Sequence, residues 1–565
     1  MSIEIIVNNK AIAANKGETI LNALTKNGIR IPTLCHMNEF SATGSCRLCV
    51  VEIKDENKLI PACSQPITEP ITIFTHSPRV INARRTIVEL LLSNHPDDCL
   101  YCEHNQHCEL QNLAVELNIR ERRFFGNKKV QIMDSSSPAI VKDDAKCILC
   151  GRCIRVCDER VQASAIDFSG RGKKTRVDTV MSKGLNYSSC IACGQCILVC
   201  PSGALSAKSS LTPVLDALND KNTKVLIQIA PSVGYSIAEE MGFKPGKNIS
   251  SLLVAGLRAA GMDMVFNLAW AGDLFLIETA KQIMENKQPT IVTTCPAVTK
   301  YIEQFFPKAL PRTNSIKAPQ QIMGAIIKNN FIQSQDWDVN DIFVVSVGPC
   351  TAAKAEATRI DTMSNGIPDV DAVLTTNELI RFLKLSGIDL HNIDEEHFDA
   401  PFHVASSAGS LYHIPGGITE GLYRQLSFLN TNKAPTEMNL EDARNIKPEK
   451  DISFKAGDKI VKVKIVSGIQ NIKKYIQQVI DNKFEYDILD LTACLMGCMS
   501  GGGQPMTDQY EENAKFLMKS LYKNDNQASS KAPNQNPFAM DFSKQLHRDE
   551  LNHLKLSLHH KFTQT

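Results

Sequence analysis

Two cysteine runs with identical internal spacing constrain this chain more than any other feature. They are Cys147-x2-Cys150-x2-Cys153-x3-Cys157 and Cys190-x2-Cys193-x2-Cys196-x3-Cys200. The whole chain carries 19 cysteines in 565 residues; the count is odd, so a fully paired disulfide framework is excluded. Clustering at gaps of two and three residues argues for bound metal instead. Zinc and iron–sulfur centres both use such gaps.

The doubled run separates the two. Two copies of C-x2-C-x2-C-x3-C are the pattern of a two-cluster bacterial ferredoxin, in which the fourth cysteine of each run binds the other cluster. One four-iron cluster is therefore expected on Cys147, Cys150, Cys153 and Cys200. The other is expected on Cys157, Cys190, Cys193 and Cys196, in a domain over residues 138–210. Pro201 follows the second run, whereas Asp158 stands in the first.

Two further cysteine groups precede this domain. Residues 1–80 begin with a strand-like Ile3–Val7, a turn at Asn8-Asn9 and a helical pattern at Ile20, Leu21, Ala23 and Leu24. Then come Cys35, Cys46, Cys49 and Cys63, which suit a two-iron cluster or zinc. A β-rich start before a cysteine loop resembles a β-grasp ferredoxin. The long first gap resembles the version at the N-terminus of complex I large subunits and large hydrogenases. Residues 81–125 read as helical, then carry His95-x3-Cys99-x2-Cys102-x5-Cys108. The resemblance to those families implies a four-iron cluster on His95 and the three cysteines. His104 and His107 compete as ligands, and a Cys3His zinc site stays open. A neutral imidazole in place of a thiolate raises a cluster's potential.

A polar linker is expected over residues 207–223. Beyond it, residues 222–525 alternate buried strands (Val225–Ala230, Thr290–Thr294, Ile342–Val347, Val461–Val466, Tyr486–Leu491) with helices such as Ser250–Ala260 and Leu274–Met284, an α/β pattern. Cysteines follow three strand ends: Cys295, Cys350 and Cys494 with Cys498. Ligands of open α/β sheets bind beyond the carboxyl ends of strands, so these four can converge. Gly501, Gly502 and Gly503 follow Cys498, and glycines let backbone approach a ligand closely. Asn430–Asp458 reads as a polar surface insertion. Residues 526–565 read as a polar tail, helical near Lys544–Leu558, whose His547, His553, His559 and His560 sit on an exposed docking segment.

Three stretches of this last domain resemble the signatures of iron-only (FeFe) hydrogenases: Thr293-Thr294-Cys295-Pro296, Gly348-Pro349-Cys350-Thr351 through Glu356, and Asp490 through Cys494-x3-Cys498-x2-Gly501. The resemblance covers nearly the whole chain. It implies an H-cluster: a four-iron cluster on Cys295, Cys350, Cys494 and Cys498, with Cys498 bridging to a diiron unit that carries CO, cyanide and a dithiolate amine. It implies reversible H2 oxidation and proton reduction, with electrons carried through one two-iron and three accessory four-iron clusters. It also implies that Pro231, Ser232, Gln320 and Gln321 line the pocket. Ferredoxin or flavodoxin is the implied carrier, and maturation proteins would install the diiron unit. Four, three, eight and four ligands account for all 19 cysteines.

The chain departs from that pattern in its outer residues. Thr294 stands at the relay cysteine, Val298 at a tryptophan, Gly348 at a methionine and Asp490 at a glutamate. Ala353 stands where a lysine contacts cyanide, so Lys354 either reaches round or the contact is lost. Glu278 is the acidic relay residue left on its helix. A hydroxyl is a far weaker acid than a thiol, so a different proton path, with a bias towards H2 uptake, is expected. The competing readings are a complex I-like or formate dehydrogenase-like subunit, and a hydrogenase-like sensor or iron–sulfur assembly relative without the diiron unit. A net charge of +1 suggests no nucleic-acid partner. No apolar run reaches the length of a membrane span and no signal peptide is visible, so a cytoplasmic protein is expected.

Overall fold

The fold is taken from a computed structural model that describes residues 2–121, 123–128, 130–286, 288–505, 510–547, 554, 558–560 and 562. The N-terminal sheet has the order Lys10–Asn15, Ser2–Val7, Thr72–Phe74, Val50–Ile53, Ile60–Pro61. Its first two strands form an antiparallel hairpin in which Ile5 faces Ile12; Ser2–Val7 then pairs in parallel with Thr72–Phe74. Alternation puts Ile5, Val7, Ile12 and Ala14 into one core against Ile20 and Leu24 of the helix Ile20–Lys26, which Thr19 caps. The helix Pro78–Asn94 leaves this domain and buries Arg84, whose guanidinium donates to the carbonyls of Leu48 and Val50.

In the doubled-run domain the two loops share one backbone. Leu149 and Gly151 in the first have φ of 57° and 71°; Ala192 and Gly194 in the second have 57° and 70°. In each, an amide donates to the first thiol at 3.4 Å: Leu149 N to Cys147 and Ala192 N to Cys190.

The stretch expected as a polar linker starts at the end of the strand Leu205–Ala207 and holds the helix Leu211–Asn219, whose Val214 and Ala217 enter the core of the last domain. Its polar composition hid a short amphipathic face.

The last domain holds two four-stranded sheets. One runs Met264–Asn267, Lys224–Ile229, Ile342–Gly348, Ala372–Thr375, all parallel. The other runs Thr290–Val292, Ile488–Thr492, Lys459–Ser467, Glu449–Ala456, with only the last pair antiparallel. The strand Glu449–Ala456 corrects the reading of 430–458 as a surface insertion. Lys450, Ile452, Phe454 and Ala456 alternate inward, and the period is masked because one buried residue is a lysine, satisfied by the Pro415 and Ala443 carbonyls.

The C-terminal tail is also corrected. The helix Pro537–Leu546 packs on the helix Ala269–Glu285 and buries Ala539, Ser543 and Leu546. His559 forms a β-bridge with Ile316. The described part of the tail through Leu546 is thus a strap on the domain; most of the helix expected near Lys544–Leu558, with His553, lies outside the described residues. Among the described residues no helix is long and apolar enough to cross a membrane.

Candidate metal centres

The two sheets point their carboxyl ends at one place. Cys295 follows the strand Thr290–Val292 and starts the helix Pro296–Phe305, with proline in the first helical turn. Thr293 ties it to the adjacent strand: its Oγ1 donates to Leu491 O at 2.8 Å and accepts from Cys295 N at 3.0 Å. Cys350 follows Ile342–Gly348, and Cys494 follows Ile488–Thr492. Cys498 lies in the short turn Gly497–Ser500, and its amide donates to His413 O at 2.7 Å. Gly497 is obligatory in that turn: φ is +60° and a Cβ would lie 2.4 Å from His413 O.

Burial pushes all four thiols up, Cys350 to about 12; the charge of neighbouring thiols adds to this at Cys350, Cys494 and Cys498, and that of Glu356 at Cys295. Each nevertheless keeps some accessible surface. Thiols with raised pKa become thiolates readily when a cation joins them. A set of four such thiols fits an iron–sulfur group. Beside them Gly348 leaves open space: an added Cβ would meet only the Ala230 methyl, at 3.8 Å.

A Cβ on Gly501 would lie 2.4 Å from Pro349 O, on Gly502 2.6 Å from Gly194 Cα, and on Gly503 2.8 Å from Thr375 Cβ. The space on the Cβ side of Gly501 and Gly502 is filled by protein, so the triplet lets the backbone close the joint between domains.

Ser232 is fully buried and its hydroxyl lies 2.9 Å from His413 Nδ1. Pro231 precedes it at the end of Lys224–Ile229. Gln320 donates through Nε2 to Ala353 O at 3.2 Å and to the Glu356 carboxylate. Gln321 is buried with neither amide atom partnered.

The structure does not place Lys354 or Glu278 as expected. Lys354 Nζ bonds Ser210 Oγ, Val373 O and Glu378 Oε1 at 2.8, 2.6 and 3.0 Å. All three donors are spent, so none is left to reach round to a ligand beside Ala353. Glu278 faces the C-terminal strap, held by Ser543 Oγ, Lys281 Nζ and His547 Nε2. Among the described residues no hydrogen bond joins it to Thr294, whose own hydroxyl makes none.

Three residues near the thiols escaped the sequence reading. Glu356 is buried, and burial pushes its carboxyl up to about 7. Its charge is felt at Cys295, Cys350 and Tyr412. Tyr412 stacks edge-on against His413, with ring centres 4.1 Å apart. Burial holds the His413 imidazole down at about 3. Glu356 was visible in a quoted motif; Tyr412 and His413 carry no local signal.

Four other groups gather upstream. Cys35 lies in hydrogen-bonding contact with Cys46 and Cys63, and Cys49 with Cys63. Cys147, Cys150, Cys153 and Cys200 line one cavity, which Val177 closes. Cys157, Cys190, Cys193 and Cys196 feel one another's charge. Cys108 feels the charge of Cys99 and Cys102. His95 is buried; Nδ1 lies 3.0 Å from Pro96 O, and Nε2 is left without a hydrogen-bond partner. An orphaned buried imidazole nitrogen suits a metal ligand. His104 Nε2 is orphaned too, but its ring packs where a Gly203 Cβ would stand, at 3.0 Å; His107 is exposed.

The groups abut. Cys108 Sγ lies 3.5 Å from Pro201 O, Ser45 Oγ 3.4 Å from Cys150 O, and Arg155 donates to Cys35 O and to Ser41 O.

Known proteins match this order of parts. A family described as iron only hydrogenase large subunit, C-terminal domain, matches residues 223–502. A 2Fe-2S binding domain matches 1–78, the iron–sulfur binding region of NADH-ubiquinone oxidoreductase G 84–123, and a 4Fe-4S dicluster domain 146–204. The NADP-reducing hydrogenase subunit HndD of Solidesulfovibrio fructosivorans is 33% identical over 555 residues, 95% of each chain. Iron hydrogenase 1 of Clostridium pasteurianum is 29% identical over 545 residues, 94% of each. A structure of a variant of [FeFe]-hydrogenase HydA1 from Chlamydomonas reinhardtii superposes with a TM-score of 0.55 at 25% identity, over 62% of this chain and 98% of that one.

Proposed function

Because this chain belongs to the iron-only hydrogenase family, in its large multi-cluster form, we propose that it interconverts H2 with protons and electrons at the pocket of Cys295, Cys350, Cys494 and Cys498. The observation that supports the reading is that these four thiols, from the ends of two separate sheets, come near enough for the charge of Cys295 to act on the other three, with open space beside Gly348. The four would hold the four-iron part of an H-cluster, and Cys498 would share it with a diiron unit. That group, when bound, supplies an open metal position and a nearby base, the pair that heterolytic H2 cleavage needs.

The chain's own residues do the rest. Burial excludes water from the pocket. The Ser232–His413 bond fixes the loop that receives the Cys498 amide. The Thr294 hydroxyl is the relay for the proton at the pocket wall, and Glu278 is a separate acid at the strap.

Upstream, Cys35, Cys46, Cys49 and Cys63 would hold a two-iron cluster. His95 with Cys99, Cys102 and Cys108, and the two ferredoxin-type sets, would hold three four-iron clusters. Electrons exchange with ferredoxin or flavodoxin in the cytoplasm, and dedicated maturation proteins install the diiron unit. The match to HndD along both whole chains makes a nicotinamide-linked partner subunit the rival for that carrier role.

Infrared spectra of the anaerobically matured protein, under H2 and then argon, test the reading. Carbonyl and cyanide bands that shift between the gases are expected. Their absence in protein loaded with every iron–sulfur cluster would favour a non-catalytic sensor or assembly relative, a reading that the spent donors of Lys354 support. Uptake faster than evolution at neutral pH is expected; the reverse ratio would remove the bias.

A further inference from the structure

Gln195 lies between Cys193 and Cys196, in the second ferredoxin-type loop, and is buried. Its Nε2 donates to Ser500 O at 2.9 Å and to Cys494 Sγ at 3.4 Å. A carbonyl oxygen only accepts, so Ser500 fixes which end of the amide is nitrogen. Among the described residues, Gln195 is the only side chain that donates to any of the four sulfurs of the catalytic pocket.

The joint around it admits nothing between the two domains. A Cβ on Gly194 would lie 2.3 Å from Thr351 Oγ1 and 2.9 Å from Gly502 Cα. Thr351 Oγ1 donates back to Ala192 O at 2.9 Å. Cys193 feels the charge of Cys350, and Cys494 that of Cys193.

We propose that Gln195 is a positioning residue that raises the reduction potential of the centre on Cys295, Cys350, Cys494 and Cys498 while locking that centre against the ferredoxin-type one. The inference rests on the hydrogenase reading. An N–H aimed at a cluster thiolate stabilises the more negative, reduced state, because its positive end meets added charge in a dry site. One electron is gained; no bond forms or breaks, and Gln195 keeps its amide protons. The same side chain that belongs to one centre's binding loop thus draws the electron towards the other.

The test is Gln195→Met, which keeps length and loses the donor. The full chain, reconstituted anaerobically with iron and sulfide but without the diiron unit, is titrated potentiometrically by electron paramagnetic resonance. The relevant signal is the one missing from Cys494→Ala protein. At the parent's midpoint the reduced-to-oxidised ratio should fall about tenfold in Gln195→Met, a shift of about 59 mV downward for a one-electron couple, while the other centres keep their midpoints. An unchanged midpoint overturns the inference. So does an equal shift of the centre held by Cys193 and Cys196, or loss of iron from both, since either marks a purely structural role. Parent protein with no centre at the four thiols would sink the hydrogenase reading as well; a centre present but indifferent to Gln195 sinks this inference alone.

Discussion

Lys354 Nζ lies 2.9 Å from Glu378 Oε2, and neither side chain is more than 5% exposed. Glu378 also caps its own helix by accepting from Thr375 N and Oγ1 at 2.7 and 2.8 Å. The pair clamps the short helix after Cys350 to the strand end at Thr375 and to Ser210. Removing one partner strands a buried charge, so Lys354→Met should destabilise the chain by about 3–5 kcal/mol. Adding Glu378→Gln should recover most of that loss. Urea midpoints of the two variants check it. A Lys354→Met protein of full stability with shifted cyanide bands would instead make Lys354 a ligand contact.

Thr294 directly precedes Cys295 and is half-buried, with a hydroxyl that no described residue engages. As the relay, it should make Thr294→Val about a hundredfold slower in H2-dependent dye reduction, within the usual range for lost proton transfer. Thr294→Cys should be faster than the parent, because a thiol is the stronger acid. Equal rates in all three proteins would place the proton path elsewhere.

His95 and His104 both bury an unpartnered Nε2. The ring of His104 fills the space beside Gly203, whereas the Nδ1 contact of His95 leaves its Nε2 lone pair free. His95→Ala should therefore lose about four iron atoms per chain, and His104→Ala should keep them. Iron and sulfide analysis of the two proteins decides it, and the opposite result would exchange their roles.

Asp273 accepts from Ser406 N at 2.7 Å and Asn536 Nδ2 at 2.9 Å, and burial pushes its carboxyl up to about 7. An unfolded aspartate titrates near 3.9. Between those values the folded chain binds more protons than the unfolded one, so this group's contribution falls as pH rises from about 4 to about 7, by up to ~1.4 kcal/mol per unit. Asp273→Asn should lack that component. Urea midpoints of parent and variant, compared across the window, should converge at one end and diverge at the other; parallel curves would show that Asp273 does not titrate there.

Local spacing made the accessory sites legible. Cysteines two and three residues apart must share a neighbourhood whatever the rest of the chain does, as at Cys46 and Cys49 or Cys147, Cys150 and Cys153. Apolar runs marked the strands Ser2–Val7 and Ile342–Gly348, and the motifs around Cys295, Cys350 and Cys494 marked the family. Where the period was broken by a buried lysine, as at Lys450, the strand was lost.

The sequence by itself determined which residues could hold metal and what kind of chain carries them. Only the tertiary structure decided what surrounds those residues. That Gly502 meets Gly194, that Gln195 reaches Cys494, that Lys354 turns to Glu378 and that the strap lies on Glu278 all join positions tens to hundreds of residues apart. Such contacts follow from how two sheets and three small modules pack. Side-chain direction and close approach are set by that packing, and no periodicity along the chain encodes them.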